Sequence, residues 1–438
     1  MKKTITTYKE AVNFIMSLAN TSSLKTEGID VARTKLLNVR KFLNFLGNPE
    51  KKLKVIHIAG TSGKGSTTMM LHNIFYYSGK KVGSYTSPHT TTFLERIKIG
   101  NKYISEKDLI NFTNILKDRM NKFIEIGGSP ISFFEFSFCL AIFAFAKKGC
   151  SVAVIETGCG GRYDSSNVIK KPIYTIITNI GNDHLDIFKT MKNLVYEKAG
   201  IIKKGIPFLT GETNKKWLKV FEKEYSKKIK IIKYQNIKII KMDIVGTIFK
   251  YKNREYKLKL LGEHQIKNAL LAIECAEDLN IKYNDIKKGL LNTFYPARME
   301  VINTDPFIIL DGAHNEDKLL ATLLFFKKQK VTGRRYLIFT CVKNKDIKNI
   351  IPQFKKYFDI IYLTRFNTPF KKCADLSKLA KNKNKIYYKN YSRDALEEVL
   401  TKINKNDFLV ITGSIFLAGE LREHWYSSEN IVKKRWSF

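Results

Sequence analysis

Acidic residues are in short supply in this chain of 438: 40 Asp and Glu stand against 77 Lys and Arg, a formal net charge of +37. Such a balance can serve nucleic acid or anionic small molecules. The lysines, however, are scattered along the whole length among Asn and Ile, with no arginine-rich arm and no RNA-binding aromatic signature. We read the charge as compositional bias with local use at phosphate sites and expect no nucleic-acid partner. Cysteine is sparse too. The six, at 139, 150, 159, 275, 341 and 373, form no Cys-x-x-Cys pair and read as reduced thiols of a cytoplasmic protein. Long clean apolar runs are missing. Residues 131–146 are the most apolar stretch, but Glu135 interrupts them short of the ~18 residues a span needs, so they read as a buried helix and no membrane partner is expected. Residues 1–20 carry charges throughout, which argues against a signal peptide.

Hydrophobic residues are 44% of the chain, enough for real cores, and the length suits two or three domains of ~100–200 residues. The most telling stretch is Val55-Ile56-His57-Ile58-Ala59-Gly60-Thr61-Ser62-Gly63-Lys64-Gly65-Ser66-Thr67-Thr68. Its apolar run reads as a buried parallel strand, and residues 67–77 read as a helix after a glycine turn. Glycines let backbone N–H groups approach phosphate oxygens, a helix N-terminus adds partial positive charge, and Lys64 adds a full one. The strict P-loop pattern fails, because Ile58 stands at its first glycine and Gly65 follows Lys64. A tight turn with a surface lysine is the plain rival. Three glycines, a lysine and hydroxyls converging on one turn outweigh it.

Residues 1–49 show helical spacing at Ala11, Phe14, Ile15 and Leu18. A short strand ending in a loop is expected over 82–89 and further strands near 152–156, 173–178, 307–310, 336–340, 360–363 and 408–412, with an extended piece over 95–99. Helices are expected over 105–125, from Ser132, and over 268–279, and a small antiparallel excursion over 227–260. Strand, loop and helix alternate, which implies a doubly wound, mostly parallel α/β sheet with ligands at the carboxyl ends of the strands. Glu156 ends one such strand and suits magnesium, directly or through water. We place a domain boundary near Val301, giving domains 1–300 and 301–438.

Nine motifs now stand in order: Thr61-Ser62-Gly63-Lys64-Gly65-Ser66, Thr86-Ser87-Pro88-His89, Glu95-Arg96-Ile97, Glu156-Thr157-Gly158-Cys159-Gly160-Gly161-Arg162-Tyr163-Asp164, Asn182-Asp183-His184, Glu197-Lys198-Ala199-Gly200-Ile201, Gly262-Glu263-His264-Gln265, Asp311-Gly312-Ala313-His314-Asn315 and Thr412-Gly413-Ser414. In these the chain resembles the folylpolyglutamate synthase/dihydrofolate synthase family of the Mur ligase superfamily, over nearly its full length. The resemblance implies a P-loop-type ATPase domain and a smaller Rossmann-like C-terminal glutamate ligase domain. It also implies an ATP-dependent, ADP-forming amide ligase working through an acyl phosphate, with L-glutamate and a folate or dihydropteroate as its substrates beside ATP. A Mur-type ligase acting on a different carboxylate is the alternative, and a nucleotide-gated module binding nucleic acid is the rival from outside enzymes.

The resemblance carries roles onto residues. Thr61, Ser62, Gly63, Lys64, Gly65 and Ser66 would hold the triphosphate, with Asn268, Arg298 and Asp311 contacting ATP. Ser87, Glu156, His184 and Lys198, the last as a carbamate, would hold magnesium, two ions in all, with a monovalent cation such as K+ as a further candidate. Lys64, Lys198 and His184 would be catalytic. Ser132, Phe133, Phe134 and Glu135, with Tyr163, Asp164 and Ser165, would meet the pterin; His314 and Ser414 would receive glutamate. A monomer is expected. On residues alone there are plainer readings: Glu156 as an ion-pair partner of Arg162, Lys198 as a helix-surface lysine, Glu135 as a hydrogen-bonded buried carboxylate, and Arg298 with Asp311 as a salt bridge. The chain departs from the family pattern at Ser62 for asparagine, Ala297 for glycine and Ser132 for threonine.

Overall fold

Val55 to Ala59 alternates between two buried faces, and that alternation explains the layers. In the computed structural model, Val55 packs on one side of the sheet with Ala153 and Ile155, while Ile56 and Ile58 pack on the other with Val152 and Val154. A parallel strand covered on both faces must be apolar on both. The structure describes residues 4–21, 29–182, 185–329, 332–343, 345, 347, 349–368, 371–380 and 385–436.

The first sheet contains β1 (Lys54–Ala59), β2 (Val82–Tyr85), β3 (Ile97–Ile99), β4 (Lys102–Tyr103), β5 (Val152–Glu156), β6 (Tyr174–Ile177), β7 (Phe208–Thr210) and β8 (Lys230–Ile231). Their order is β4-β3-β2-β5-β1-β6-β7-β8. Only β3 and β4 run antiparallel to their neighbours. One face is covered by helices Tyr8–Ser17, Ile29–Phe45, Glu106–Glu125 and Phe133–Lys147, the other by Lys64–Tyr77, Glu263–Asp278 and Tyr283–Leu291. A three-stranded antiparallel sheet of β9 (Ile237–Asp243), β10 (Gly246–Tyr251) and β11 (Arg254–Leu258) adds Phe249 and Tyr256 to the second face.

The third sheet begins at β12 (Glu300–Thr304) and continues through β13 (Phe307–Leu310), β14 (Arg335–Phe339), β15 (Ile360–Leu363), β16 (Ile386–Tyr388) and β17 (Phe408–Thr412). Its order is β12-β13-β17-β14-β15-β16, parallel except for β12. Again alternate residues part: Ile309, Leu337 and Val410 face one cluster, Ile308, Ile338 and Ile411 the other. The last helix, Ser428–Lys434, leaves this sheet and buries Ile431 in the first body's core. Among the described residues no helix is long and apolar enough to cross a membrane.

The expected elements are found with shifted ends. The helix after the phosphate turn starts at Lys64 rather than at 67, because Gly63 at φ +83° caps it and the first turn carries Gly and Ser in place of apolar residues. The extended piece expected over 95–99 divides into a 3-10 turn, Phe93–Arg96, and β3; the Glu95 carboxylate closes the turn by accepting from the N–H groups of Thr90, Thr91 and Thr92. Strands β4, β7 and β16 went unread, being too short to show a period, and β12 because its polar and half-buried residues make no apolar run. The antiparallel excursion expected over 227–260 is confined to β9–β11, since β8 at its start pairs parallel with β7 in the first sheet.

Candidate active site

The phosphate turn is shaped from both sides. Gly60 at φ +144° lies so close to β6 that a Cβ there would come 1.8 Å from Thr178 Oγ1. The loop after β6 grips the turn: Thr61 N donates to Asn179 O at 3.0 Å, Ser62 N to Asn179 Oδ1 at 2.8 Å, and Thr178 Oγ1 to Ser62 O at 2.6 Å. Behind it, the first N–H groups of helix Lys64–Tyr77 are directed out of the helix end. Lys64 folds back, its Nζ donating to Gly60 O at 3.2 Å and lying 4.0 Å from Glu156 Oε1. Lys198 reaches the same carbonyl at 2.8 Å and is buried, not on the helix surface.

Glu156, at the end of β5, is buried and accepts from Ser87 N at 3.2 Å. Burial raises its pKa, and the charges of Lys64, Arg298 and Lys318 with the Ser87 N–H oppose that rise. Lys64 approaches this carboxylate to 4.0 Å, and the charges of Arg298 and Lys318 act on it from further along the chain. Arg162 is not its partner: the guanidinium pairs with Glu224 and stacks on Tyr196. His184 lies outside the described residues.

Asn268 sits directly on the phosphate turn. A Cβ at Gly63 would meet its Oδ1 at 2.1 Å, and its Nδ2 donates to Gln265 Oε1 at 3.0 Å. Tyr295 closes over Gly65, and the Arg298 guanidinium lies 5.0 Å from the Tyr295 ring. Ala297 and Met299 both adopt left-handed backbone, φ +50° and +47°, so the departure from glycine at 297 leaves the turn conformation in place. The turn is held by hydrogen bonds: Ala297 N donates to Glu300 Oε2 at 2.8 Å, and Gly312 N donates to Ala297 O at 2.8 Å. Asp311 accepts from Met299 N and from Thr322 Oγ1, bonds that organise the same turn and take the place of the salt bridge to Arg298.

The pterin candidates form two segments in contact. Ser132 and Glu135 make a reciprocal capping box at the start of helix Phe133–Lys147, with Ser132 N donating to Glu135 Oε2 at 2.7 Å. Phe133 is buried under the Arg96 guanidinium, while Phe134 is exposed. The same helix touches the 3-10 turn Ser165–Val168. Before that turn Tyr163 is half-buried, its phenol raised by burial, and the Asp164 carboxyl is pushed up by burial while its hydrogen-bond donors pull it back. Ser165 is also half-buried.

His314 and Ser414 leave the ends of the adjacent strands β13 and β17. His314 Nδ1 lies 2.9 Å from Gly312 O and its Nε2 3.1 Å from Lys318 Nζ. Ser414 is buried and caps helix Ile415–Arg422, accepting from Phe416 N at 3.2 Å. Lys318 and Tyr295 escaped the sequence reading. Lys318 stands one helical turn after His314, and Tyr295 directly before Pro296, so spacing and the adjacent turn proline were the available signals.

The phosphate turn and the acidic strand end belong to a Mur ligase: residues 58–276 match the Mur ligase middle domain and residues 297–415 the Mur ligase glutamate ligase domain. Within it the chain belongs to the dihydrofolate synthase/folylpolyglutamate synthase family. It is 31% identical to the dihydrofolate synthase/folylpolyglutamate synthase of Bacillus subtilis, over 88% of this chain and 93% of that one. A solved folylpolyglutamate synthase from Thermotoga maritima superposes with a TM-score of 0.81 at 29% identity, covering 98% of each chain. A solved FPGS–AMPPCP–folate complex matches at 26% identity and TM-score 0.80, over 96% of this chain and 99% of that one.

Proposed function

We propose that the protein joins L-glutamate to the carboxylate of a folate, of dihydropteroate, or of both, in an ATP-dependent, ADP-forming reaction through an acyl phosphate. The 4.0 Å approach of Lys64 to the buried Glu156 beside the phosphate turn carries this reading. Phosphoryl transfer demands charge stabilisation and in-line placement more than covalent help from the protein. The turn from Thr61 to Ser66 cradles the triphosphate with backbone amides, Lys64 supplies its cation, and Asn268, Arg298 and Asp311 hold the rest of the nucleotide. Ser132 to Glu135 and Tyr163 to Ser165 orient the pterin end, and His314 and Ser414 receive glutamate.

Ser87 and Glu156 offer hard oxygen donors at neighbouring strand ends, the ligand type magnesium prefers, so the residues present fit that ion. Bound there with His184, magnesium would neutralise charge on the transferring phosphoryl group. Lys198 serves in this reading as a carbamate toward a second ion. Its buried Nζ is where a neutral amine could take up CO2. Lys198→Ala should lose turnover, and added formate or acetate should restore part of it; full activity without either would end the carbamate role. A monovalent cation, a monomeric state, a cytoplasmic setting and the division into domains 1–300 and 301–438 belong to the same proposal. The deciding experiment is ADP release from ATP and glutamate with dihydropteroate and tetrahydrofolate supplied separately. No amide product with either, from folded protein and magnesium, overturns it.

A further inference from the structure

One buried polar chain runs behind the loop proposed for the pterin. His57 lies on β1, fully buried, and its Nε2 is 2.8 Å from Ser166 Oγ. Ser166 Oγ in turn donates to Asp164 Oδ1, and Ser166 N donates to the same oxygen at 3.0 Å. The other oxygen, Oδ2, accepts from Gly158 N at 2.9 Å and Cys159 N at 3.1 Å. Four donors fill the roughly four lone-pair sites of a carboxylate. Asp164 thus ties together the two ends of the Gly158–Ser166 loop, and its oxygens are taken up by the loop itself.

The direction of this chain follows from its acceptor. The Ser166 hydroxyl donates its one proton to Asp164, so the hydroxyl oxygen is left to accept from His57. His57 is therefore the Nε2–H tautomer. Its Nδ1 is a buried lone pair with no partner among the described residues. An unmade buried hydrogen bond is costly, and a Val or Ile on this parallel strand would avoid it.

We propose that His57 and Ser166 are positioning residues for the Gly158–Ser165 loop: their one-way hydrogen-bond chain locks Asp164, and through it the Gly158 and Cys159 backbone, in the shape that receives the fused-ring pterin of the substrate. This rests on the assignment of that loop to the pterin. Ser166→Ala and His57→Leu break the chain; Ser166→Thr keeps the hydroxyl, and His57→Gln keeps a donor near the Nε2 position. In the full-length protein, Ser166→Ala should raise hydrogen exchange of the Gly158 and Cys159 amides and raise KM for dihydropteroate or tetrahydrofolate about 10-fold, with KM for ATP changed less than about 2-fold. Ser166→Thr and His57→Gln should restore both readouts. Unchanged exchange in Ser166→Ala overturns the positioning role. So does an equal rise of both KM values, which would mark general loosening. Faster exchange with an unchanged pterin KM overturns the assignment of the loop to the pterin while the hydrogen-bond chain itself stands.

Discussion

Gly60 O receives two lysines, Lys64 at 3.2 Å and Lys198 at 2.8 Å, and the difference between them lies in their surroundings. Lys64 is part-exposed at the turn, near Glu156, so its charge faces the space above the phosphate turn. Lys64→Ala should lower kcat about 10²–10³-fold, the usual loss of one preorganised electrostatic contact. Its stability, read from a urea midpoint, should change by no more than about 0.5 kcal/mol, as for a side chain outside the core. Near-normal turnover would show that another residue carries the phosphate charge. Lys64 could be assigned from the sequence because the motif is contiguous. The burial of Lys198 could not, since it depends on where helix Met191–Ala199 meets the phosphate turn.

Strand ends, not strands, carry the candidate chemistry. Parallel neighbours β13 and β17 bring their following loops together, and Gly312 and Ile415 come into contact there. Gly413 makes this possible: at φ +102° it passes so close to β14 that a Cβ would come 1.9 Å from Thr340 O. Gly413→Ala should displace Ser414 and raise KM for glutamate at least about 10-fold, while KM for ATP moves little. Steady-state kinetics with each substrate varied checks this, and an unchanged glutamate KM would remove Ser414 from the glutamate site. At the start of the Phe133–Lys147 helix, the residue pair proposed for the pterin also has a structural task. Ser132 and Glu135 satisfy backbone donors at the helix start whether or not a pterin is bound, a contribution of about 1 kcal/mol.

At the scale of the molecule, Arg422 links parts distant in sequence. Its guanidinium makes bonds of 2.8–3.0 Å to Glu300, both side chains are fully buried, and the charge of Glu95 reaches it from the first body. Arg422→Met should cost about 3–5 kcal/mol in denaturant unfolding, because Glu300 is left a buried charge without its partner. Arg422→Met with Glu300→Leu should recover part of the loss. Acid sensitivity is a second whole-molecule property. Burial lowers His57 to about 3 and holds His72 and His89 well below their ordinary value of 6.5. Below pH 6.5 the unfolded chain takes up protons that these rings refuse. Stability should therefore fall on acidification from about pH 6.5, approaching about 1.4 kcal/mol per pH unit for each ring. Replacing His72 with Asn should reduce the slope of unfolding free energy between pH 6 and 5 by about one proton's worth, and an unaltered slope would contradict the burial argument.

Hydrophobic runs bounded by glycine turns were enough to read the strand-and-helix alternation, because each run buries itself by its own periodicity. The phosphate turn, Ser87 and Glu156 were legible for a related reason: each sits within a few residues of a strand end, and ligands of parallel sheets gather there. Other features needed the sheet order. β1 lies between β5 and β6, far from both in sequence, and this order alone brings His57 to Ser166 and Asn179 to the phosphate turn. That the charges of Arg298 and Lys318 bear on Glu156 likewise depends on how the third sheet meets the first. The return of Ile431 to the first core could not be read from its own short, mostly polar helix. Local pattern determines which segments are apolar and which can turn. Partners far apart in the chain are chosen by packing, which no window of sequence contains.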